Sequence, residues 1–126
     1  MVKGAISILK IKRVYQEAGG DDGYRILVDR LWPRGLAKEK ASIDYWAKEI
    51  SPSHAIRKSF KHEAGRFEDF KNAYTDELDT NQQAEEFLNL LGGKLRVGNV
   101  TLLFAAKNET INHAVVLKEW IEENLV

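Results

Sequence analysis

The sequence predicts an α/β fold: a single small domain with a mixed sheet of about three strands, its two central strands parallel, flanked by about five helices. Three observations carry this. Two short apolar runs, Ile26-Leu27-Val28 and Val100-Thr101-Leu102-Leu103-Phe104-Ala105-Ala106, are continuous in the way of strands covered on both faces. Between them, residues 41–93 carry apolar residues at helical spacing, and a connection that long makes the flanking strands parallel neighbours or nearly so. The chain has 126 residues, 44% of them hydrophobic, which is the size of one domain that buries a core without a disulfide or metal.

The elements follow in order. Ile6 to Tyr15, with Ile8, Ile11 and Val14 among lysines, reads as a partly exposed or edge strand. Gln16 to Gly23 includes Gly19-Gly20-Asp21-Asp22-Gly23 and is a loop too short for a helical crossover. The first strand and the second, Tyr24 to Leu31, are therefore antiparallel or not directly paired. Ser42 can cap a helix presenting Ile43, Trp46, Ala47 and Ile50, ended by Ser51-Pro52. Ser53 can cap a short helix carrying Ile56 and Phe60. The next begins near Arg66 and sets Phe67, Phe70, Tyr74 and Leu78 on one stripe. Asp79-Thr80-Asn81 breaks it, Thr80 or Asn81 caps a continuation with Phe87, Leu88 and Leu91, and Gly92-Gly93 closes that. Val100 to Ala106 is the third strand. The final helix turns Val116, Leu117, Trp120, Ile121 and Leu125 inward, with Asn108 or Thr110 as its cap.

Composition excludes several kinds of chemistry. Without cysteine there is no disulfide framework, zinc-thiolate site, iron–sulfur cluster or thiol nucleophile. Three dispersed histidines argue against zinc, so no metal is expected, and no sequence motif names a cofactor. Walker, GxGxxG and GxSxG motifs are absent. No apolar run approaches the roughly 18 residues of a membrane span, and the chain is expected to be cytoplasmic without membrane association. Charge balances at 19 basic and 19 acidic residues, but residues 1–40 carry nine positive against five negative, and residues 63–91 two against eight. That asymmetry could draw an anion to one side, or simply reflect solvated helix faces.

The two central strands end on the same sheet edge, where open α/β folds place ligands. One runs into Val28-Asp29-Arg30-Leu31-Trp32-Pro33-Arg34-Gly35, the other into Lys107-Asn108-Glu109-Thr110-Ile111-Asn112-His113. Guanidinium forks match phosphate or carboxylate bidentately, and a helix start favours negative charge. Arg30, Trp32, Arg34, Lys107 and Asn112 are therefore the candidate ligand-binding residues. His113 and Asp29 are the candidates for proton transfer. Each has a structural alternative: Asp29 can brace a loop through Arg30 or Arg34, Trp32 can plug the core edge, and Pro33 with Gly35 can fix a turn.

Arg13-Val14-Tyr15, Asp22-Gly23-Tyr24-Arg25, the run from Val28 to Gly35, Pro52-Ser53 with Arg57, Phe60 and His62, and Asn112 with Ala114-Val115-Val116-Leu117 together resemble the YeaO-like branch of the family called domain of unknown function 488. The resemblance covers about residues 10–120. It implies an Asp-Val-Arg-type motif at Val28-Asp29-Arg30 and a Cys-His-Arg-type motif at Asn112-His113-Ala114. The cysteine and arginine of the second are missing here, which leaves Asp29, Arg30 and His113 as the shared remnant. The His-Asn-Asn stretch of YeaO-like members is also altered, and only Asn112 carries over cleanly.

Three readings stand at this point. The first is a small enzyme or binder for an anionic metabolite or nucleotide, holding it with Arg30, Arg34 and Lys107, orienting it with Asn112 and moving a proton with His113 or Asp29. The second is a nucleic-acid module using Arg34, Lys38, Lys40, Arg57, Lys58 and Lys61 for phosphates and Trp32 for stacking, against which zero net charge counts. The third is an interaction protein whose polar strand ends only brace loops; there Asp29 would be satisfied by its own arginines and no cavity would exist.

Overall fold

A computed structural model describes residues 7–60 and 64–125, so Ile6, Lys61 and His62 lie outside the described residues. Its elements are β1 (Leu9–Arg13), β2 (Tyr24–Leu27), α1 (Lys38–Ala41), β3 (Tyr45–Trp46), α2 (His54–Phe60), α3 (Phe67–Thr80), α4 (Gln82–Leu95), β4 (Val100–Phe104) and α5 (His113–Asn124). Short 3-10 turns occupy Lys48–Ile50 and Ala64–Arg66. The strands form one sheet of order β1-β4-β2-β3, parallel at every pairing. The two strands expected at the centre, β2 and β4, are parallel neighbours there, and β1 is an edge strand that does not touch β2.

The sheet differs from expectation in having four strands rather than three and in being parallel rather than mixed. The additional strand, β3, lies where Ile43, Trp46, Ala47 and Ile50 predict a helix. Backbone pairing overrides that spacing: Asp44 N–H donates to Arg25 O and Ala47 N–H to Leu27 O, both at 2.8 Å, which draws the segment onto the edge of β2. The four apolar side chains divide between the two sheet faces. Ile43 and Trp46 pack with Leu27 and Leu103, while Ala47 and Ile50 join the larger core on the other face. Ser42, expected as an N-cap, instead ends α1 in the left-handed region at φ 52°.

The larger core lies between the sheet and α2–α5. Ile26, Val28, Val100, Leu102 and Phe104 meet Phe70, Tyr74 and Leu78 of α3, Phe87 and Leu91 of α4, and Leu117 and Ile121 of α5. The stripe expected for α3 is the one buried, and Tyr74, wholly enclosed, donates its hydroxyl to Ile50 O at 2.6 Å. Asn81 caps α4 by accepting from Gln83 N–H. Gly92-Gly93 does not stop that helix, which runs on to Leu95 because Leu95, like Leu90, packs against the core. Among the described residues no helix is long and apolar enough to cross a membrane.

The opposite face is covered by the chain between β2 and β3 rather than by long helices. Trp32 and Trp46 meet edge to face at 5.5 Å over Leu27 and Leu103. Beside them, the start of β2 buries a charged network. Asp22 and Arg25 are 1% and 5% exposed and form a buried ion pair through Arg25 Nη1 and Asp22 Oδ2. Arg25 also donates to Ser42 O and Ala41 O, fastening the covering segment to the sheet, and Asp22 accepts from Gly19 N–H and Lys12. Burial pushes the Asp22 carboxyl up, and the Gly19 N–H, Lys12 and Arg25 more than reverse this, holding it at about 2. Neighbouring Asn99 ties three strand starts together: its side chain bonds Ile8 N–H and Asp21 O, and its carbonyl accepts from Tyr24 N–H.

Candidate functional site

At the opposite edge, parallel strands deliver the ends of β2 and β4 side by side. Val28 N–H continues the ladder to Leu103 O, which places Asp29 beside Ala105. Asp29 Oδ2 accepts from Ala105 N–H at 3.0 Å, and the Asp29 carbonyl accepts from Trp46 Nε1 at 2.7 Å. Ala105 thus holds the carboxylate, and Trp46 the main chain that carries it. Its other oxygen, Oδ1, lies 2.8 Å from Nε2 of His113, the first residue of α5. Both atoms are buried and neither has another polar partner among the described residues. The contact has the geometry of an ion pair more than of a well-directed hydrogen bond, and it becomes a salt bridge when the imidazole is protonated.

Asn112 sets His113 in position. Its side chain accepts from Val115 N–H and donates to Asn108 O, so it is the N-cap of α5 and is itself fully buried. The cap expected at Asn108 or Thr110 falls there instead, because the Asn108 side chain is occupied by Thr110 N–H and Ile111 N–H in a preceding turn.

Arg30 follows Asp29 and reaches the loop before α2. Its Nε and Nη2 donate to Pro52 O at 3.2 Å, and Nη2 also to Ser51 O at 3.0 Å. Backbone carbonyls therefore fix this guanidinium and leave Nη1 without a hydrogen bond among the described residues. Asp29, Arg30, His113 and Arg57 of α2 are the polar walls of a cavity of about 260 Å³, closed elsewhere by Leu31, Pro52, Ala105 and Ala106. Arg57 is exposed and has no ion pair or hydrogen bond to a side chain among the described residues. Among those residues no group of three or more His, Cys, Asp or Glu side chains could hold a metal ion.

Asp29, Arg30 and His113 thus meet in one cavity, whereas Trp32, Arg34, Lys107 and Asn112 do not line it. Trp32 donates its indole N–H to Leu36 O at 2.6 Å, rests on Trp46 and has Lys38 near its ring, so it covers the sheet. Arg34 and Lys107 are exposed. Asp29 pairs with neither Arg30 nor Arg34, the partners the bracing reading requires; the side chain it meets is His113. Arg57 was legible as one cation of a surface patch and as part of the family resemblance, not as a wall of this cavity. What brings it to the cavity is the fold of residues 51–57 around the end of β2, which no local pattern encodes.

The chain matches a family model described as "Inactive DUF488-N3 subclade" over residues 8–126. It is 45% identical over 113 residues to "Uncharacterized protein YeaO" of Escherichia coli (strain K12), covering 90% of this chain and 96% of that protein. It is 33% identical over 111 residues to "Uncharacterized protein Rv3073c" of Mycobacterium tuberculosis (strain ATCC 25618 / H37Rv), covering 88% and 91%. No solved structure matches it.

Proposed function

We propose, for a chain that belongs to the DUF488-N3i family, the inactive DUF488-N3 subclade, that it binds a small anionic metabolite at the C-terminal edge of its sheet and does not transform it. The observation that carries this reading is the pair of guanidiniums in one cavity: Arg30, held rigid by the Ser51 and Pro52 carbonyls, and Arg57, free of side-chain partners among the described residues. A cation already fixed by backbone loses little freedom when a ligand arrives, which favours binding. The cavity volume lies just under the range of about 300–1,000 Å³ typical of drug-sized ligands, which suits a compact metabolite.

Two observations favour binding over turnover. The chain has no cysteine, so the position where the resemblance implies a thiol carries Asn112, and that side chain is committed to capping α5. The family's own description is inactive. His113 and Asp29 then serve to shape the pocket, each occupying the other's buried polar atom.

The test is a thermal-shift and calorimetric screen against phosphate esters, carboxylates and nucleotides, with single-stranded oligonucleotides as the arm for the nucleic-acid reading. A ligand selective for the native state raises the melting temperature by mass action. Arg57→Ala should weaken the best anion by about ten-fold or more, as expected for removal of a charged donor. Because Arg57 is exposed, the same change should leave stability within about 0.5 kcal/mol of wild type. Binding unaffected by Arg57→Ala would remove the cavity from consideration, and a response confined to oligonucleotides and abolished by salt would transfer the function to the exposed basic surface.

A further inference from the structure

The cavity is not a simple anion hole, because it contains an acceptor as well as donors. Arg30 and Arg57 offer only N–H groups, whereas the Asp29 carboxylate only accepts while ionised. Oδ1 is buried against His113 Nε2, whereas Oδ2 accepts from Ala105 N–H alone among the described residues and has a second lone pair for a donor. An oxyanion filling the whole space would meet two favourable cations and one like charge anchored through Oδ2 to Ala105 N–H. Like-charge juxtaposition in a partly desolvated site is costly, and Asp29, fixed as it is, cannot swing away.

We infer that the ligand is bifunctional, pairing a phosphate or carboxylate with a hydroxyl group that donates to Asp29. This rests on the anion-binding reading above and adds the second half of the ligand. The oxyanion meets Arg30 Nη1 and Arg57, and the hydroxyl meets Asp29 Oδ2, where an accepted hydrogen bond joins the one from Ala105 N–H. A cavity of about 260 Å³ has room for such a molecule of a few carbons. Bare phosphate and unsubstituted short carboxylates then bind weakly, because they leave Asp29 opposed by nothing but charge. Asp29 is a specificity-determining residue in this scheme: it rejects donorless anions and rewards hydroxylated ones.

Matched probes test this by calorimetry on the full chain: 3-hydroxypropyl phosphate against propyl phosphate, and glycolate against acetate. The phosphate and carboxylate pairs identify which headgroup the arginines prefer. Wild type should bind the hydroxylated member of the preferred pair about ten-fold more tightly or better. Asp29→Asn removes the negative charge while keeping a side-chain oxygen for Ala105 N–H. That variant should bind the donorless anion more tightly than wild type does and compress the hydroxyl preference toward unity. A purely structural role for Asp29 would weaken both ligands together instead. Equal wild-type affinity for the two members of a pair, with Arg57→Ala weakening both, overturns the bifunctional ligand and leaves anion binding standing. Absence of binding by all four probes overturns both. The wild-type comparison decides the matter even if Asp29→Asn folds poorly.

Discussion

Replacing Arg25 with alanine should lower the free energy of unfolding by about 3–5 kcal/mol, the cost of breaking a buried ion pair, and toward the lower end because Lys12 and Gly19 N–H still hold Asp22. On a domain of this size that is a fall in melting temperature on the order of 15 °C. The loss has two sources. Asp22, 1% exposed, keeps its charge but loses the guanidinium, and the Ala41 and Ser42 carbonyls lose the donors that hold the covering segment on the sheet. Urea denaturation measures it, and a change under about 1 kcal/mol would show that water replaces the guanidinium. Asp22→Asn/Arg25→Ala should cost less than the two single changes added, since one network is being removed twice.

The same network sets the acid limit of the fold. Asp22 is held at about 2, below the ordinary value of 3.8, so its native state resists protonation. A depressed carboxyl contributes stability that is complete above the unfolded value and is lost as pH falls through the folded one. The contribution, about 2 kcal/mol, should therefore be constant above about pH 5 and disappear between about pH 4 and pH 2. In Asp22→Asn the stability-against-pH curve should flatten over that window.

Gly23→Ala should be comparably severe. Gly23 has φ +68°, and a Cβ there would lie 2.0 Å from Asn99 O, the atom that accepts from Tyr24 N–H at the start of the β2–β4 pairing. Left-handed backbone costs an alanine about 1–2 kcal/mol, and forcing the strands apart adds roughly 1–3 kcal/mol. Gly35→Ala is the control. It shares the positive φ, at +77°, but its Cβ would meet nothing within 4 Å, so it should show the conformational cost alone. Equal destabilisation by the two changes, measured by denaturation, would mean that the Asn99 contact relaxes freely.

The features legible in the sequence are those that one segment determines. Val100 to Phe104 is a continuous apolar run because β4 is covered on both faces, and the Phe70, Tyr74 and Leu78 stripe is buried as its spacing requires. β3 was illegible because two residues of strand carry no periodicity; they exist only by pairing with β2. The parallel sense of β1 follows from its partner β4 at the far end of the chain, which local pattern cannot specify. At the site, topology alone predicts that Asp29, Arg30 and His113 share an edge. Trp32 and Asn112 looked chemical because indoles and amides serve ligands as readily as folds; their hydrogen bonds to Leu36, Asn108 and Val115 show what occupies them here. Arg57 sits across the cavity because the carbonyls of Ser51 and Pro52 wrap around Arg30, a contact between segments distant in sequence.

The strand order carries a consequence for synthesis. β4, which joins β1 to β2, comes from residues 100–104, and Ile8 waits 91 positions for its partner Asn99. A nascent chain lacking that stretch can form only the two-residue β2–β3 pairing, with β1 stranded. The pairing that joins these strands is thus made only after residues 100–104 have left the ribosome. Such long-range closure makes for slow folding compared with helical proteins of equal length. His113 arrives later still, so the cavity exists only once synthesis has passed residue 113, and shorter products, lacking it, are unable to compete for its ligand.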